Sequence, residues 1–215
     1  MPKLGMEVVR RRQVIDAAVS ILSNQGWRDL TIREVSEVAN VSVGVVTHYF
    51  SSKRAIIVDA ISDTNQRFSR TIGQMERKNS NVKLRLAAVV DLMTRPEAYD
   101  LPNHNFWIAL YGRLPFDQVI QAELQRLQRW LQECVAKIVK QGIHQGDFKT
   151  DHLPEDIAAN FVVSAFGQIV TAAAAPTDLP TERRRKLLLD MLGTMLGTQL
   201  NWGADASVRD TLHIA

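Results

Sequence analysis

Cysteine is nearly missing from this chain: Cys134 is the only one in 215 residues. No intrachain disulfide can form, and a reducing cytosol is the expected compartment. Cys134 falls mid-helix among apolar neighbours, where inert burial is the commoner fate of a thiol. No segment reads as the roughly 18–20 apolar residues of a membrane span, and no apolar stretch typical of a leader follows the opening residues. Neither an anchor nor a leader is therefore expected. Catalytic signatures are missing as well. There is no H-E-x-x-H, no G-x-S-x-G and no phosphate-binding loop. The five histidines, at 48, 104, 144, 152 and 213, are scattered. His144 and His152 straddle a glycine-containing turn without a cysteine partner, so no metal, no cofactor and no enzyme activity is expected. Also lacking are a Gly/Ser-rich linker, an internal repeat and any sustained strand-type alternation, which leaves an all-α chain.

What is present begins with charge. Residues 1–54 hold eight Lys/Arg (3, 10, 11, 12, 28, 33, 53, 54) against five acids (7, 16, 29, 34, 37). The other 161 residues balance at 18 of each sign, so the whole excess of +3 lies in the first quarter. That distribution suits a phosphate-facing head (1–54) on a neutral body (55–215). Val14, Ala18, Ile21 and Leu22 make a helical stripe closed by Gly26. Ser51 or Ser52 caps a helix from Ala55 to about Met75, unbroken by glycine or proline before Gly73, which reads as a rod between head and body. Further helices are expected at about 82–94, 103–113, 117–145, 154–175 and 181–202, with Pro96, Pro102, Pro115, Pro154, Pro176 and Pro180 at or beside their borders.

The most informative stretch is 31–53, TIREVSEVANVSVGVVTHYFSSK. Thr31 and Glu34 have capping-box spacing, and Leu30 and Val35 stand where a hydrophobic staple would sit. Asn40 is the non-glycine residue best able to enter the left-handed region at a helix end. Ser42 caps the next helix, which carries Gly44, Thr47 and His48 away from Val46 and Phe50. Two short helices held in this way match the helix-turn-helix that enters a DNA major groove.

Ser42, Gly44, Val46, Tyr49, Phe50 and Lys53 follow the pattern of the TetR family of bacterial repressors, and the segment resembles that family over residues 7–58. Thr47 departs from it, since the family usually has an aromatic there. The opening MPKLGM and Arg10–Ala17 are further similar to the choline-responsive repressors of betaine synthesis within the family. The resemblance implies a helix-turn-helix head on a helical ligand-binding and dimerisation body. It also implies double-stranded operator DNA as partner and a small-molecule effector, choline-like or apolar. In the DNA reading, Val43, Gly44 and Thr47 lie near base edges, with a thymine methyl or a hydroxyl contact open to Thr47. His48, Tyr49, Lys53, Thr31 and Arg33 are assigned to phosphate. Phe50 is a core aromatic, and Tyr49 can pack its ring while its hydroxyl reaches outward. No Arg, Asn or Gln lies within 42–50 for a bidentate base contact, so specificity is expected from apolar thymine contacts, Arg33 and DNA shape.

Two further sets of residues belong to the body. Ala158, Ala165, Leu189, Gly193 and Gly197 place small or apolar side chains on the last two helices, which in the resembled family pair as a four-helix dimer bundle. Small residues four apart allow close helix approach. Phe106, Trp107, Tyr111, Trp130, Phe161 and Phe166 supply aromatic faces for an effector site, with Asp91, Glu97, Asp100 and Glu123 on or near the same helices. Trp and Tyr faces with a carboxylate are how quaternary ammonium groups are held. Arg183–Lys186 reads as a solvated helix start. The competing class is a helical small-molecule or partner-binding protein without DNA binding; the intact caps, turn and Lys53 argue against it.

Overall fold

The computed structural model describes residues 6–174 and 177–200, which hold nine α-helices and no strand. They are α1 (Met6–Asn24), α2 (Ile32–Val38), α3 (Val43–Tyr49), α4 (Lys53–Lys78), α5 (Val82–Thr94), α6 (His104–Tyr111), α7 (Gln118–Gln145), α8 (Pro154–Ala174) and α9 (Thr181–Leu196). Two 3₁₀ turns, Pro96–Tyr99 and Leu114–Phe116, carry the chain into α6 and α7. The fold is all-α, with a helix-turn-helix near its start. Residues 1–5, quoted above for the resemblance, lie outside the described part, as do 201 and 202 at the expected end of the last helix.

The chain divides into two compact units. The first holds residues up to Arg67 together with Asp100–Arg126, and the second holds Phe68–Tyr99 and everything from Leu127 onward. Helices α4 and α7 therefore contribute their first part to one unit and their second part to the other. In the first unit α1 packs on α2, α3 and α6 around Val14, Ala18, Ile21, Leu22, Val35, Val46 and Phe50, all buried. Arginines on α1 tie it to α4: Arg11 pairs with Asp59, and Arg12 reaches Asp63 at 2.6 Å. Arg67 completes the network at 2.8 Å from Asp63, 2.8 Å from Asp16 and 3.2 Å from Asp100. Arg12, Asp16, Asp63, Arg67 and Asp100 line a cleft of about 310 Å³ with Thr64, Leu101 and Pro102. Asp100 holds its place in the left-handed region at φ 55°.

In the second unit α5 is buried along almost its whole length and packs on α8, α9 and the Pro96–Tyr99 turn. Asp91, 1% exposed, accepts from Arg95 Nε at 2.9 Å and from the Tyr99 hydroxyl at 2.6 Å, and Arg185 stands 3.6 Å away. Burial, then the bond to Asp91, pushes the Tyr99 phenol far above its ordinary value. Arg184 donates to the carbonyl of Thr94 at 3.1 Å. The middle of the Arg183–Lys186 run is thus buried rather than solvated: Arg184 and Arg185 hold α9 to α5, and only Arg183 and Lys186 face outward.

Helix α9 stops at Leu196, six residues short of the expected 202, because Gly197 takes φ 60° and caps it. A Cβ there would come within 2.3 Å of the Lys149 carbonyl oxygen, and one at Gly193 within 2.8 Å of the Thr198 oxygen. Both glycines answer a close approach inside the chain. Helix α8 corrects the expectation about apolar runs. Its 21 residues include an 18-residue window of mean hydropathy 1.6, long and apolar enough to cross a membrane. Asn160, Ser164 and Gln168 interrupt the run to the eye without lowering its average below that level.

Candidate nucleic-acid interface

The helix-turn-helix is built by local hydrogen bonds that the sequence specifies. Thr31 Oγ1 accepts from the Glu34 amide at 3.0 Å and starts α2. Asn40 adopts φ 52° in the turn, and the Val41 amide returns to the Ser36 carbonyl at 3.0 Å. Ser42 Oγ accepts from the Val45 amide at 3.3 Å and starts α3. Leu30 and Val35, the staple positions, are both buried. Ser52 caps α4 through the Ala55 amide at 3.2 Å, which settles the choice between the two serines.

Most of the residues expected at DNA are accessible. Thr31, Arg33, Ser42, Val43, Gly44, Thr47 and His48 are exposed, and Tyr49 is half-buried with its ring edge-on to His48 at 4.9 Å. Phe50 is core, at 3% exposure. Arg33 pairs with Glu37 at 3.0 Å while remaining 85% exposed. Such an exposed pair contributes only about 0.3–0.5 kcal/mol and is readily exchanged for a phosphate. Val38 and Val43 stand out as apolar side chains 45% and 46% exposed. Thr47 Oγ1 donates back to the carbonyls of Val43 at 3.1 Å and Gly44 at 3.3 Å.

Lys53 has a more structural position than its assignment to phosphate implied. Its Nζ donates to the Trp27 carbonyl at 2.9 Å and lies 4.6 Å from the Trp27 ring centroid. Arg113, distant in sequence, stacks on the same ring at 5.0 Å. Burial, then repulsion from Arg113, lowers the Lys53 ammonium below its ordinary value. Sequence reasoning missed Arg113 because nothing local marks it; only the fold brings it beside Trp27.

The other expected sites fare differently. Phe106, Trp107 and Tyr111 belong to the first unit, where Phe106 and Trp107 pack edge-on at 5.0 Å and are buried. Trp130, Phe161 and Phe166 belong to the second unit, Phe161 fully buried and the other two half-buried. Of the nearby carboxylates, Asp91 is already engaged by Arg95 and Tyr99, Asp100 by Arg67, and Glu123 by Arg126; Glu97 is exposed. The residues expected at a dimer interface are placed as follows. Ala158, Ala165, Leu189 and Gly193 face the chain's own core, and Gly197 lies past the end of α9. The outward apolar residues of these helices are Val163, Val170 and Leu187, at 70%, 56% and 46% exposure. Among the described residues, no group of three or more His, Cys, Asp or Glu is placed to hold a metal ion.

Comparison with known proteins agrees with this geometry. Residues 14–60 match the family described as bacterial regulatory proteins, tetR family. The HTH-type transcriptional regulator BetI of Cronobacter sakazakii is 33% identical over 93 residues, 42% of this chain and 46% of that protein. BetI of Escherichia coli UTI89 is 36% identical over 92 residues, 42% of this chain and 47% of that protein. The matched stretch thus spans a little under half the length of these relatives. Among solved structures, a TetR transcription regulator from Haloarcula marismortui covers 88% of this chain with TM-score 0.79 at 17% identity. A protein from Saccharomonospora viridis solved in complex with choline covers 86% with TM-score 0.75 at 16% identity. These last two share the fold: a helix-turn-helix head on a helical body.

Proposed function

We propose that a chain with a tetR-family head is a ligand-responsive transcriptional repressor, acting in the cytoplasm as a homodimer on a palindromic operator and released by a small molecule. One observation carries the DNA reading. Gly44 sits on the exposed face of α3, and neither packing nor backbone conformation requires glycine there: a Cβ would meet only Ser42 Oγ, at 3.7 Å. Glycine in a helix costs up to about 1 kcal/mol relative to alanine. A residue that the fold does not need, at a cost to the helix, fits a surface that something outside the chain must approach closely. Thr31, Arg33, His48 and Tyr49 supply the phosphate partners of this surface. Lys53 and Arg113 hold positive charge together beside Trp27.

Homodimerisation rests on the outer face of α8 and α9. Val163, Gly167 and Val170 follow one another at helical spacing with Leu187 on α9, an apolar stripe that a second copy would cover. A dimer of this kind presents two recognition helices about 34–36 Å apart, one turn of DNA. For the effector, the aromatic residues of the two units and the choline held by the Saccharomonospora viridis protein support a choline-like or apolar ligand. Asp91 is not its counter-ion, being committed to Arg95 and Tyr99. To release DNA the ligand must favour the unbound conformation; a full reversal of occupancy needs about 5.5 kcal/mol of differential affinity.

The test is a gel-shift titration on DNA flanking the protein's own gene, at two salt concentrations. Specific retardation that weakens steeply with salt is expected, with Gly44→Ala folding normally and losing the shift. A salt-independent response would favour a helical ligand-binding protein that does not read DNA, whereas full binding by Gly44→Ala would remove the argument from Gly44 and leave DNA binding standing.

A further inference from the structure

Within the DNA reading just given, on which this inference rests, the geometry points to an apolar mode of base recognition: α3 identifies thymine through the methyl group of Thr47, and the hydroxyl takes no part. The hydroxyl has a single hydrogen, and that hydrogen is directed back along the helix to the carbonyls of Val43 and Gly44, at 3.1 and 3.3 Å. Donation from Thr47 to guanine O6 or thymine O4 would require giving up this intrahelical bond, which leaves acceptance from adenine N6 or cytosine N4 as the only polar role of the oxygen, one that Thr47→Val would remove. With the oxygen turned to the backbone, the methyl is the side-chain group left to face outward from an exposed position.

The neighbouring residues agree in chemistry. Val43 lies one turn earlier on the same face, and its side chain is 46% exposed although valine gains nothing from facing water. Gly44 between them adds no bulk, and Ser42 already accepts from the Val45 amide. No Arg, Asn or Gln occurs from 42 to 50 to form the bidentate contacts that read guanine or adenine. Among base edges of the major groove, the thymine C5-methyl is the group that an apolar patch can recognise.

The experiment begins by selecting a binding site from a pool of random double-stranded DNA with the full-length protein. Each thymine of the selected half-site is then replaced by uracil, which deletes the methyl and leaves every hydrogen-bonding group in place. At one thymine, uracil should weaken binding about four-fold in one half-site and about fifteen-fold in both, the factor for one methyl per half-site taken out of water. Thr47→Val, which keeps a methyl and lacks the hydroxyl, should retain the preference for thymine over uracil. Thr47→Ser, which keeps the hydroxyl and lacks the methyl, should abolish it. Thr47 is exposed, so neither replacement disturbs the core. If Thr47→Ser keeps the uracil effect, or Thr47→Val loses site-specific binding, the inference is overturned. A selected site with no uracil effect anywhere also overturns it while leaving the regulator reading intact. Failure to select any site overturns both.

Discussion

Replacing Asp91 should be among the most damaging single changes in this protein. The carboxylate is 1% exposed and accepts from three donors on two residues: Arg95 Nε and a terminal nitrogen at 2.6–2.9 Å, and the Tyr99 hydroxyl at 2.6 Å. Arg185, itself 6% exposed, lies 3.6 Å from the same group. Asp91→Ala leaves the buried Arg185, the half-buried Arg95 and the Tyr99 phenol facing a hole, and breaking a buried pair from one side costs about 3–5 kcal/mol. Because the acid is almost wholly buried, solvent screening does not reduce that figure much. For a domain of this size it corresponds to about 6–20 °C in Tm, at 2–4 °C per kcal/mol. Tyr99→Phe removes one charge-assisted bond and should cost about 1.5–3 kcal/mol. The two changes share a partner, so their effects should fail to add by 0.5 kcal/mol or more. Urea unfolding followed by circular dichroism, with both single variants and the double variant, measures each quantity. An Asp91→Ala protein within about 1 kcal/mol of the parent would refute the assignment of this cluster as the tie between α5, the Pro96–Tyr99 turn and α9.

Other outcomes follow from the same kind of reasoning. Because Tyr99 is held protonated, its stabilising contribution is complete below the ordinary phenol value near 10 and is lost as pH rises through the higher folded value. Stability above pH 10 should therefore fall more steeply in the parent than in Tyr99→Phe, by urea midpoints along a pH series; parallel curves would contradict it. Cys134 is raised to about 11 by burial and then by Glu76, so its alkylation rate should keep climbing with pH beyond 10, and a half-maximal rate near pH 8.5 would show an ordinary thiol. Ser42→Ala removes the side-chain cap of α3 and should cost about 1 kcal/mol by denaturation. Val163→Glu with Val170→Glu should leave the helix content unchanged and yield a monomer by sedimentation; a dimer that survives both would move the interface elsewhere.

The parts legible in the sequence are those fixed by short-range geometry. Thr31, Ser42 and Asn40 each act on backbone groups within a few residues, so spacing alone located both caps and the turn, and with them the exposed face of α3. The second serine of the Ser51–Ser52 pair, by contrast, was distinguishable only once α4 had a definite first turn. Long-range partners left no such trace. Trp27, Lys53 and Arg113 meet across 86 residues of chain, and nothing in the Arg183–Lys186 run tells which two arginines turn inward. A solvated reading of that run was reasonable on composition and wrong for Arg184 and Arg185, because α5 offers Asp91 and the Thr94 carbonyl at the right height.

Helix α8 shows most clearly why periodicity alone does not tell inward from outward residues. It is apolar nearly all round, so small residues at 158 and 165 and branched ones at 163 and 170 look equally suited to meet another helix. The fold separates them: Ala158 and Ala165 are short because α8 must lie close to its own neighbours, whereas Val163 and Val170 are large, apolar and left in water. Burying a Val side chain that is now more than half exposed is favourable by roughly 1 kcal/mol or more at 25 cal/mol per Å². Those residues gain from a partner, and the alanines have already found theirs. Gly44 and Gly197 divide by the same test. A methyl group added at 197 would collide with the Lys149 carbonyl, so the demand for glycine comes from within the chain; at 44 it would meet an ordinary contact at 3.7 Å, so the fold makes no such demand there. What a residue would touch if it were larger thus separates the glycines that the fold requires from those it does not, and Gly167 on α8, with nothing within 4 Å of an added Cβ, joins Gly44 in the second group.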